Sequence, residues 1–337
     1  MAAAASQPVT MHAVAARAGV SQSAVSLVLN GAPARIGAAT RERILRAAAE
    51  LGYRPNLIAR GLVHRRSYAI GLLVPDLRNP FFADVVSGAQ RVAAHAGYIV
   101  LPLDSAETPL GRHLEALQAR QIDGVIMDAV GASSVDPRLL HELDVVVIDE
   151  PSDRWPGLAT DAEGAGRLAA QHLLELGHRR VAFIGPAADS HSFRMRERGF
   201  VKALARSSVS LVSELLVRAT PTVAGGQAAG ARLLALTDRP TAVFCVNDLV
   251  ALGLLKACAR AGVRVPEDLS IVGCDDIEMA RLVTPELTTV QVPARELGAR
   301  AARLLIDARD GRPIRPRGRP LAVKLSARGT TAPPGRP

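Results

Sequence analysis

The sequence contains few aromatic residues and few cysteines. Aromatic residues make up 3% of the 337 residues, and the three cysteines are Cys245, Cys258 and Cys274. These cysteines are far apart and form no CxxC pair, so they lack the spacing of a zinc site or of a disulfide framework. Their pattern is typical of small apolar side chains buried in a protein of a reducing compartment.

Long apolar runs are also absent. The longest ones, such as 69–75 and 145–148, have the length of buried strands and fall far short of the ~20 residues of a membrane span. The first residues lack the charged start and apolar stretch of a secretory signal. We therefore expect a cytoplasmic protein that has no membrane partner.

Motifs of common enzyme classes are missing as well. The sequence contains no GxSxG, Walker loop or HExxH motif, and no GxGxxG after a predicted strand. We therefore predict that the protein is not an enzyme and that it uses no cofactor and no metal ion.

Positive charge is concentrated at the two ends of the chain. The formal net charge is +9, and residues 1–66 contain nine arginines and two acids. Residues 309–337 carry eight basic residues and one acid, so the middle of the chain is net acidic. A basic end suits an anionic partner such as nucleic acid, although a solvated charged surface would have the same composition.

The first part of the chain has the pattern of short helices separated by turns. Thr10 can cap a helix over 11–18, and Ser21 can cap a second helix over 22–29. A third helix is predicted over about 39–51, because apolar residues recur there at helical spacing.

The first two of these helices meet the requirements of a helix-turn-helix. Ala15 is small enough for a helix crossing, Gly19 permits a tight turn, and Val25 can lock the second helix onto the first. An ordinary helical hairpin would have the same features. If the unit binds DNA, the second helix lies in the major groove with its first residues facing the base edges.

Different side chains of this unit suit bases and phosphates. Gln22, Ser23 and Leu27 are the candidates for contact with base edges, because they face away from the apolar positions. The remaining DNA-binding candidates in the head are polar and suit the DNA backbone: Thr10, Ser21, Ser26 and Asn30.

From residue 68 onward, short apolar runs alternate with amphipathic stretches. The apolar runs are 68–74, 98–103, 124–128, 144–149, 180–185, 241–246, 269–274 and 287–292. This alternation is typical of βαβ units, so we predict an α/β core of two lobes, each a doubly wound parallel sheet. A ligand would bind between the lobes, beyond the carboxyl ends of the strands.

Motifs over nearly the whole chain occur in the same order and at the same spacing in one known family. They lie in 9–30, 40–62, 70–82, 172–184, 196–200, 247–253, 272–276 and 285–290, and include Asn79-Pro80-Phe81-Phe82 and Leu176-Gly177-His178-Arg179. In these motifs the sequence resembles the LacI/GalR family of bacterial transcriptional regulators. The resemblance implies a helix-turn-helix head, a sensor core similar to periplasmic sugar-binding proteins, and a homodimer on double-stranded DNA with a pseudo-palindromic operator.

The resemblance also implies a hinge helix, which in this family folds only when it pairs with its dimer mate on DNA. Asn56, Ala59 and Arg60 are assigned there to DNA binding, and Leu62 is assigned to insert into the central base step of the minor groove. Such a wedge unstacks a base step at a cost that bending and added contacts offset. Simple core packing is the alternative role of Leu62. Many members carry arginine at the position of Leu27, which cannot hydrogen-bond to a base.

In the core, the resemblance implies a set of effector-contacting positions. They are Asp76, Asn79, Phe81, Asp161, Arg196, Asn247 and Asp275. Arg, Asp and Asn side chains suit a sugar or polyol, because each can hold neighbouring hydroxyls by paired hydrogen bonds. The alternatives are that Asn247 caps a helix, that Asp275 belongs to a turn and that Arg196 forms a surface ion pair.

One departure concerns stacking on a sugar ring. Many sugar-binding members carry an aromatic residue near the position of Thr222, and this chain has none there. Phe81, Phe82 or Trp155 would have to take its place.

These observations predict five parts of the chain. They are a helix-turn-helix head over 1–55, a hinge helix and linker over 56–67, an N-terminal lobe over 68–168 plus 293–323, a C-terminal lobe over 169–292 plus 324–331, and a disordered tail over 332–337. We predict a sequence-specific transcriptional regulator, a repressor, whose operator affinity is controlled allosterically by a small-molecule effector such as a sugar. The rival interpretations are a ligand-binding protein without DNA function and a metabolic enzyme with an accessory head.

Overall fold

The computed structural model of the protein describes residues 9–29, 36–53, 66–106, 108–128, 136–141, 143–149, 155–186, 190–312 and 319–335. The chain divides into two units, Met1–Ser67 and Tyr68–Pro337, which we call the head and the core. In the described part of the chain, no helix is both long enough and apolar enough to cross a membrane.

Three helices form the described part of the head: α1 (Met11–Ala18), α2 (Gln22–Leu29) and α3 (Ala38–Glu50). The first two have the predicted bounds, and the third begins and ends one residue earlier than predicted. Helix α1 begins where predicted because the hydroxyl of Thr10 accepts a hydrogen bond from the backbone N–H of Ala13, at 3.3 Å.

The turn between α1 and α2 and the small core beneath it fix the second helix. Gly19 ends α1 in a left-handed conformation with φ of 62°, which glycine adopts without a steric cost. Val14, Val25 and Ile44 come from the three helices and are fully buried against one another. One face of α2 is therefore used for packing and the other is left to solvent.

The first lobe of the core contains a parallel sheet in the strand order β2-β1-β3-β4-β5. Its strands are β1 (Ala69–Val74), β2 (Ile99–Asp104), β3 (Gly124–Asp128), β4 (Asp144–Ile148) and β5 (Gly157–Leu158). The helices of this lobe are α4 (Pro80–His95), α5 (Leu110–Ala119) and α10 (Ala294–Arg309). Strands β1 and β3 are buried along their whole length, because helices cover both faces of the sheet.

The second lobe contains a six-stranded sheet in the order β11-β10-β9-β8-β6-β7. Its strands are β6 (Val181–Pro186), β7 (Leu216–Ala219), β8 (Ala242–Cys245), β9 (Ser270–Asp275), β10 (Thr288–Gln291) and β11 (Lys324–Ser326), and only the edge strand β11 pairs antiparallel. The helices are α6 (Ala162–Glu175), α7 (His191–Arg206), α8 (Val223–Leu234) and α9 (Asp248–Ala261).

Among the described elements of the core, the chain changes lobe three times, before α6, before α10 and before β11. The predicted change of lobe between residues 168 and 169 falls inside α6, and the structure corrects it. The whole helix packs against α7 and the second sheet, so the crossover precedes Ala162. There the N–H of Asp161 donates to the carbonyl of Leu321, at 2.9 Å, which holds the first and last crossovers together.

The sequence predicts a disordered tail over 332–337, and for residues 332–335 this prediction is wrong. The N–H of Ala332 donates to the hydroxyl of Ser270 at 3.1 Å. Its carbonyl accepts from Ser270 and from His178, which are both buried. These long-range bonds fix the segment on the second lobe.

Helices of the core pack in pairs through reciprocal glycines. In the pair α6–α7, a Cβ atom added at Gly166 would lie 1.8 Å from the carbonyl oxygen of Arg196, and one at Gly199 would lie 1.9 Å from that of Glu163. Only glycine allows backbones to approach this closely. The pair therefore sets the position of α7 and of the side chains that it carries.

Candidate DNA-binding face and ligand cleft

The outward face of α2 carries the residues predicted to contact base edges. Gln22 and Ser23 are exposed in the first turn of the helix, and Leu27 is 40% exposed one turn later. Val25 and Val28, on the opposite face, are buried. The helix therefore presents a polar start and one apolar side chain to a partner.

The polar residues flanking this face lie at helix starts. Thr10 and Ser21 are exposed, and each hydroxyl also accepts a backbone N–H, so both cap a helix. Ser26 is half-buried. The other predicted DNA-binding residues lie outside the described part of the chain and stay predictions: Asn30, Asn56, Ala59, Arg60 and Leu62.

In the core, a cavity of about 150 Å³ lies between the two lobes at the carboxyl ends of the strands. Six of the seven predicted effector residues are among those that line it: Asp76, Asn79, Phe81, Arg196, Asn247 and Asp275. Asp76 follows β1 and Asp275 ends β9, so side chains from both sheets converge here as parallel strands require.

The seventh predicted residue, Asp161, does not line this cavity, and its assignment needs correction. Its carboxylate accepts the N–H of Gly164 at 2.9 Å and caps the start of α6. Asp161 instead lines a separate, open depression together with Glu163 and Lys202. The cap requires this orientation, because the carboxylate must reach the first turn of its own helix.

Arg196 forms the centre of the cavity wall on the second lobe. It is 2% exposed; its Nη1 donates to the carbonyl of Val246 at 2.6 Å, and its Nη2 lies 3.0 Å from a carboxylate oxygen of Asp275. Its guanidinium carbon lies 5.3 Å from the ring centre of Phe193. Among the described residues, no group accepts a hydrogen bond from its Nε. The alternative of a surface ion pair is thus wrong.

The two amide side chains at the cavity have structural partners as well. Asn79 accepts the N–H of Phe81 at 3.1 Å and caps α4. Asn247 accepts the N–H of Val250 at 2.9 Å, caps α9, and donates to the carbonyl of Pro221 at 3.2 Å. Asn247 therefore caps a helix, as the alternative prediction had it, and it also lines the cavity.

The predictions missed part of the cavity wall. Asp128 and Asp149 line it, and a signal for them existed, because each comes at or directly after the end of a predicted strand. Ser192 and Phe193 also line it from the first turn of α7, and no local pattern marked them. Phe193 joins Phe81 and Phe82 as the aromatic surface of the cavity.

Two aromatic or capping positions have other roles. Trp155, considered as a stacking residue, packs with the smaller apolar cluster of the first lobe. Thr222 lines the cavity and caps α8 by accepting the N–H of Gly225 at 3.1 Å.

Burial alters the ionisation of the acids in this region. It raises the pKa of Asp275 to about 7, and the attraction of Arg196 only partly opposes this. Burial also raises the pKa of Asp248 to about 6, behind the cavity wall, where Asp248 accepts from the N–H of Ile277 and the hydroxyl of Thr289. Asp275 has φ of 128° and Asp276 has φ of 58°, so the backbone is strained where the carboxyl enters the cavity.

A raised pKa at Asp275 predicts a pH-dependent stability. Between about pH 4 and pH 7 the carboxyl is ionised in the unfolded chain and still protonated in the folded one, so stability falls as the pH rises, by at most about 1.4 kcal/mol per pH unit. Between pH 5 and pH 7 we expect the free energy of unfolding of the Asp275→Asn variant to fall less than that of the wild type, as measured by urea unfolding. Asp268→Asn is the control, because Arg264 holds the pKa of Asp268 at about 2. Equal slopes for Asp275→Asn and wild type would contradict the assignment.

The geometry defines a class of protein: a helix-turn-helix head on a core with a polar cleft between two α/β lobes. The model of bacterial regulatory proteins of the lacI family matches residues 10–56, and a periplasmic binding protein-like domain matches residues 170–331. The repressor CytR of Escherichia coli K12 is 34% identical over 328 residues, 96% of both chains.

Solved structures agree with these relatives. The lac repressor dimer bound to operator and the anti-inducer ONPF has a TM-score of 0.84 at 30% identity, covering 97% of this chain and 100% of that one. The regulator CelR in complex with cellobiose has a TM-score of 0.71 at 31% identity, covering 96% and 99%. The chain belongs to the lacI family and is a DNA-binding transcriptional repressor with a ligand-binding core, which confirms the predicted family, fold class and regulatory function.

Proposed function

We propose that this repressor recognises its operator through Gln22, Ser23 and Leu27 on the exposed face of α2. Gln22 can form paired hydrogen bonds with adenine, and Leu27 suits a thymine methyl group. The exposure of these side chains, opposite the buried Val25, supports the assignment. The flanking polar residues bind phosphates: Thr10, Ser21, Ser26 and Asn30.

Two heads of a homodimer bind the half-sites of a pseudo-palindromic operator, as one small module makes too few contacts by itself. The similarity to a lac repressor dimer on its operator supports this arrangement. In the hinge, Asn56, Ala59 and Arg60 contact DNA and Leu62 inserts into the minor groove.

The core binds a small-molecule effector, a sugar or related metabolite, in the cavity between the lobes. The observation that carries this proposal is Arg196, a buried guanidinium in the cavity wall whose Nε has no acceptor among the described residues. A buried polar group of this kind gains a partner when ligand binds. The cellobiose complex of CelR supports a sugar.

Effector binding is coupled to operator binding. The effector changes the relative position of the lobes, and this changes the affinity for the operator. By thermodynamic linkage, operator binding changes the affinity for the effector by the same factor. No chemical step is part of this function: the acids of the cavity hold the ligand and its release is reversible.

A footprint on the DNA upstream of the protein's own gene tests the proposed function. We expect a protected pseudo-palindrome in moderate salt, with a protection that an effector of the core strengthens or weakens. Absence of any protected palindrome, with and without candidate sugars, would refute operator recognition by this protein.

Gln22→Ala should weaken specific operator binding by roughly 5- to 150-fold, because a paired contact with a base contributes about 1–3 kcal/mol of discrimination. Non-specific binding should change little, since it depends on phosphate contacts. Fluorescence anisotropy with operator and scrambled DNA measures both. Gln171→Ala removes the same side chain from an exposed helix position of the core and is the matched control. Equal losses on the two DNAs would contradict base contact by Gln22.

A further inference from the structure

The cavity between the lobes is rich in carboxyl groups. Asp76, Asp128, Asp149 and Asp275 line it, and Arg196 is the one basic side chain among the described residues that do so. Three of the acids come from the ends of β1, β3 and β4 in the first lobe, and the fourth comes from β9 in the second. The wall of the first lobe therefore carries three carboxyl groups, whereas in the wall of the second lobe the carboxyl of Asp275 lies beside the cation of Arg196.

Arg196 is partly engaged by the protein itself. Phosphate and carboxylate groups are held by arginine through two parallel N–H bonds. Here Nη1 donates to the carbonyl of Val246, and Nη2 lies 3.0 Å from Asp275. Part of the donor capacity of Arg196 is therefore used within the cavity wall, its positive charge is offset by the neighbouring Asp275, and its Nε has no acceptor among the described residues.

Helix starts at the cavity provide a weaker opposing effect. The N-terminus of a helix carries roughly half a positive charge and attracts anions. At α4 and α9, however, the side chains of Asn79 and Asn247 already accept first-turn N–H groups. These two helix starts therefore have fewer free donors for an anion, whereas the start of α7 has no side-chain cap. The partial charge of each helix start is still smaller than the charge of the three carboxyl groups of the first lobe.

We propose that the cleft selects a ligand without negative charge, one that presents hydroxyl or amine donors to the carboxyl groups, and that Asp149 is a residue that sets this selectivity. The inference rests on the proposed effector site and names the chemistry of its ligand. Phosphorylated and carboxylated forms of an otherwise suitable sugar are rejected, because like charges in a poorly solvated cleft repel.

Asp149 is suited to a test by substitution. It follows β4 with φ of 63°, a conformation that aspartate and asparagine tolerate better than most residues. One of its carboxylate oxygens accepts the hydroxyl of Thr160 at 2.9 Å, and an asparagine oxygen can accept the same bond. Asp149→Asn thus removes the charge while keeping the shape and the contact.

Matched ligand sets provide the experiment. Calorimetric titration and thermal shift of the full chain compare ribose with ribose 5-phosphate, glucose and glucosamine with glucose 6-phosphate, cellobiose with cellobionate, and adenosine with adenosine 5′-monophosphate. We expect the ligands that bind to be neutral or amine-bearing, and the affinity for their anionic counterparts to be about 100-fold lower. Asp149→Asn should reduce this ratio of affinities about tenfold. Asp84→Asn, which changes an exposed carboxylate paired with Arg295, should leave the ratio unchanged.

The outcomes separate this inference from the proposed function. The charge selectivity is overturned if an anionic ligand binds the cleft as tightly as its neutral parent. It is also overturned if Asp149→Asn leaves the ratio of the two affinities unchanged. Neither result contradicts the proposed effector site. If no member of any set binds, both the proposed effector site and this inference are overturned.

Discussion

A methyl group added at Gly166 should destabilise the core by about 3 kcal/mol, the upper end of the usual cost of overpacking. The new Cβ would lie 1.8 Å from the carbonyl oxygen of Arg196 and 2.7 Å from the backbone nitrogen of Phe200. Both atoms are backbone, so α6 and α7 must separate. The gain in helix propensity from glycine to alanine, about 1 kcal/mol, is too small to offset this. Urea unfolding of Gly166→Ala measures the change.

Gly111→Ala is the matched control. Gly111 also lies in a helix, α5, but the nearest atom to its added Cβ is a side-chain carbon of Leu139 at 3.7 Å, an ordinary contact. This variant should be unchanged or more stable by up to about 1 kcal/mol. The two substitutions are chemically identical, so a change of the same sign in both would contradict the close helix approach at Gly166.

Arg196→Met should abolish the response of operator binding to effector, with the ratio of operator affinities with and without ligand falling to about 1. The guanidinium bonds to Val246 and pairs with Asp275 in the cavity wall, and methionine does neither. The variant should also be less stable by about 3 kcal/mol, because it leaves the buried carboxyl of Asp275 and the carbonyl of Val246 without the donor that faced them. Operator affinity without effector should persist, since the head is a separate unit.

Two comparisons make this result interpretable. Arg198→Met changes an exposed arginine on the same helix and should keep the effector response. Adding Asp275→Asn to Arg196→Met should restore part of the lost stability, because no ionisable group is then left buried without its partner. Operator titrations by fluorescence anisotropy with the sugars named above, together with urea unfolding, measure both effects. If operator binding by Arg196→Met still responds to the effector, the effector does not bind in the cavity that Arg196 lines.

Local signals explain why much of the fold could be predicted. Helix α1 begins at the cap that Thr10 forms and ends at the left-handed turn of Gly19, and both effects act within a few residues. Strands of the core were recognisable by their apolar runs, and the structure brings polar residues at the strand ends, such as Asp76 and Asp275, to one cavity. The lobe boundary inside α6 was not recognisable, because a helix has the same pattern whichever sheet it covers.

The sequence by itself determined the class of protein, the helices of the head and the edge of the sheets at which the cavity lies. These follow from residue order, since caps, turns and strand periodicity depend on near neighbours. Tertiary structure alone decided that Asp161 caps a helix outside the cleft, that Phe193 faces into it and that Arg196 is buried against Asp275. It also made the cleft acidic: burial and charge depend on side chains that converge from distant segments, and only packing of the two lobes brings those segments together.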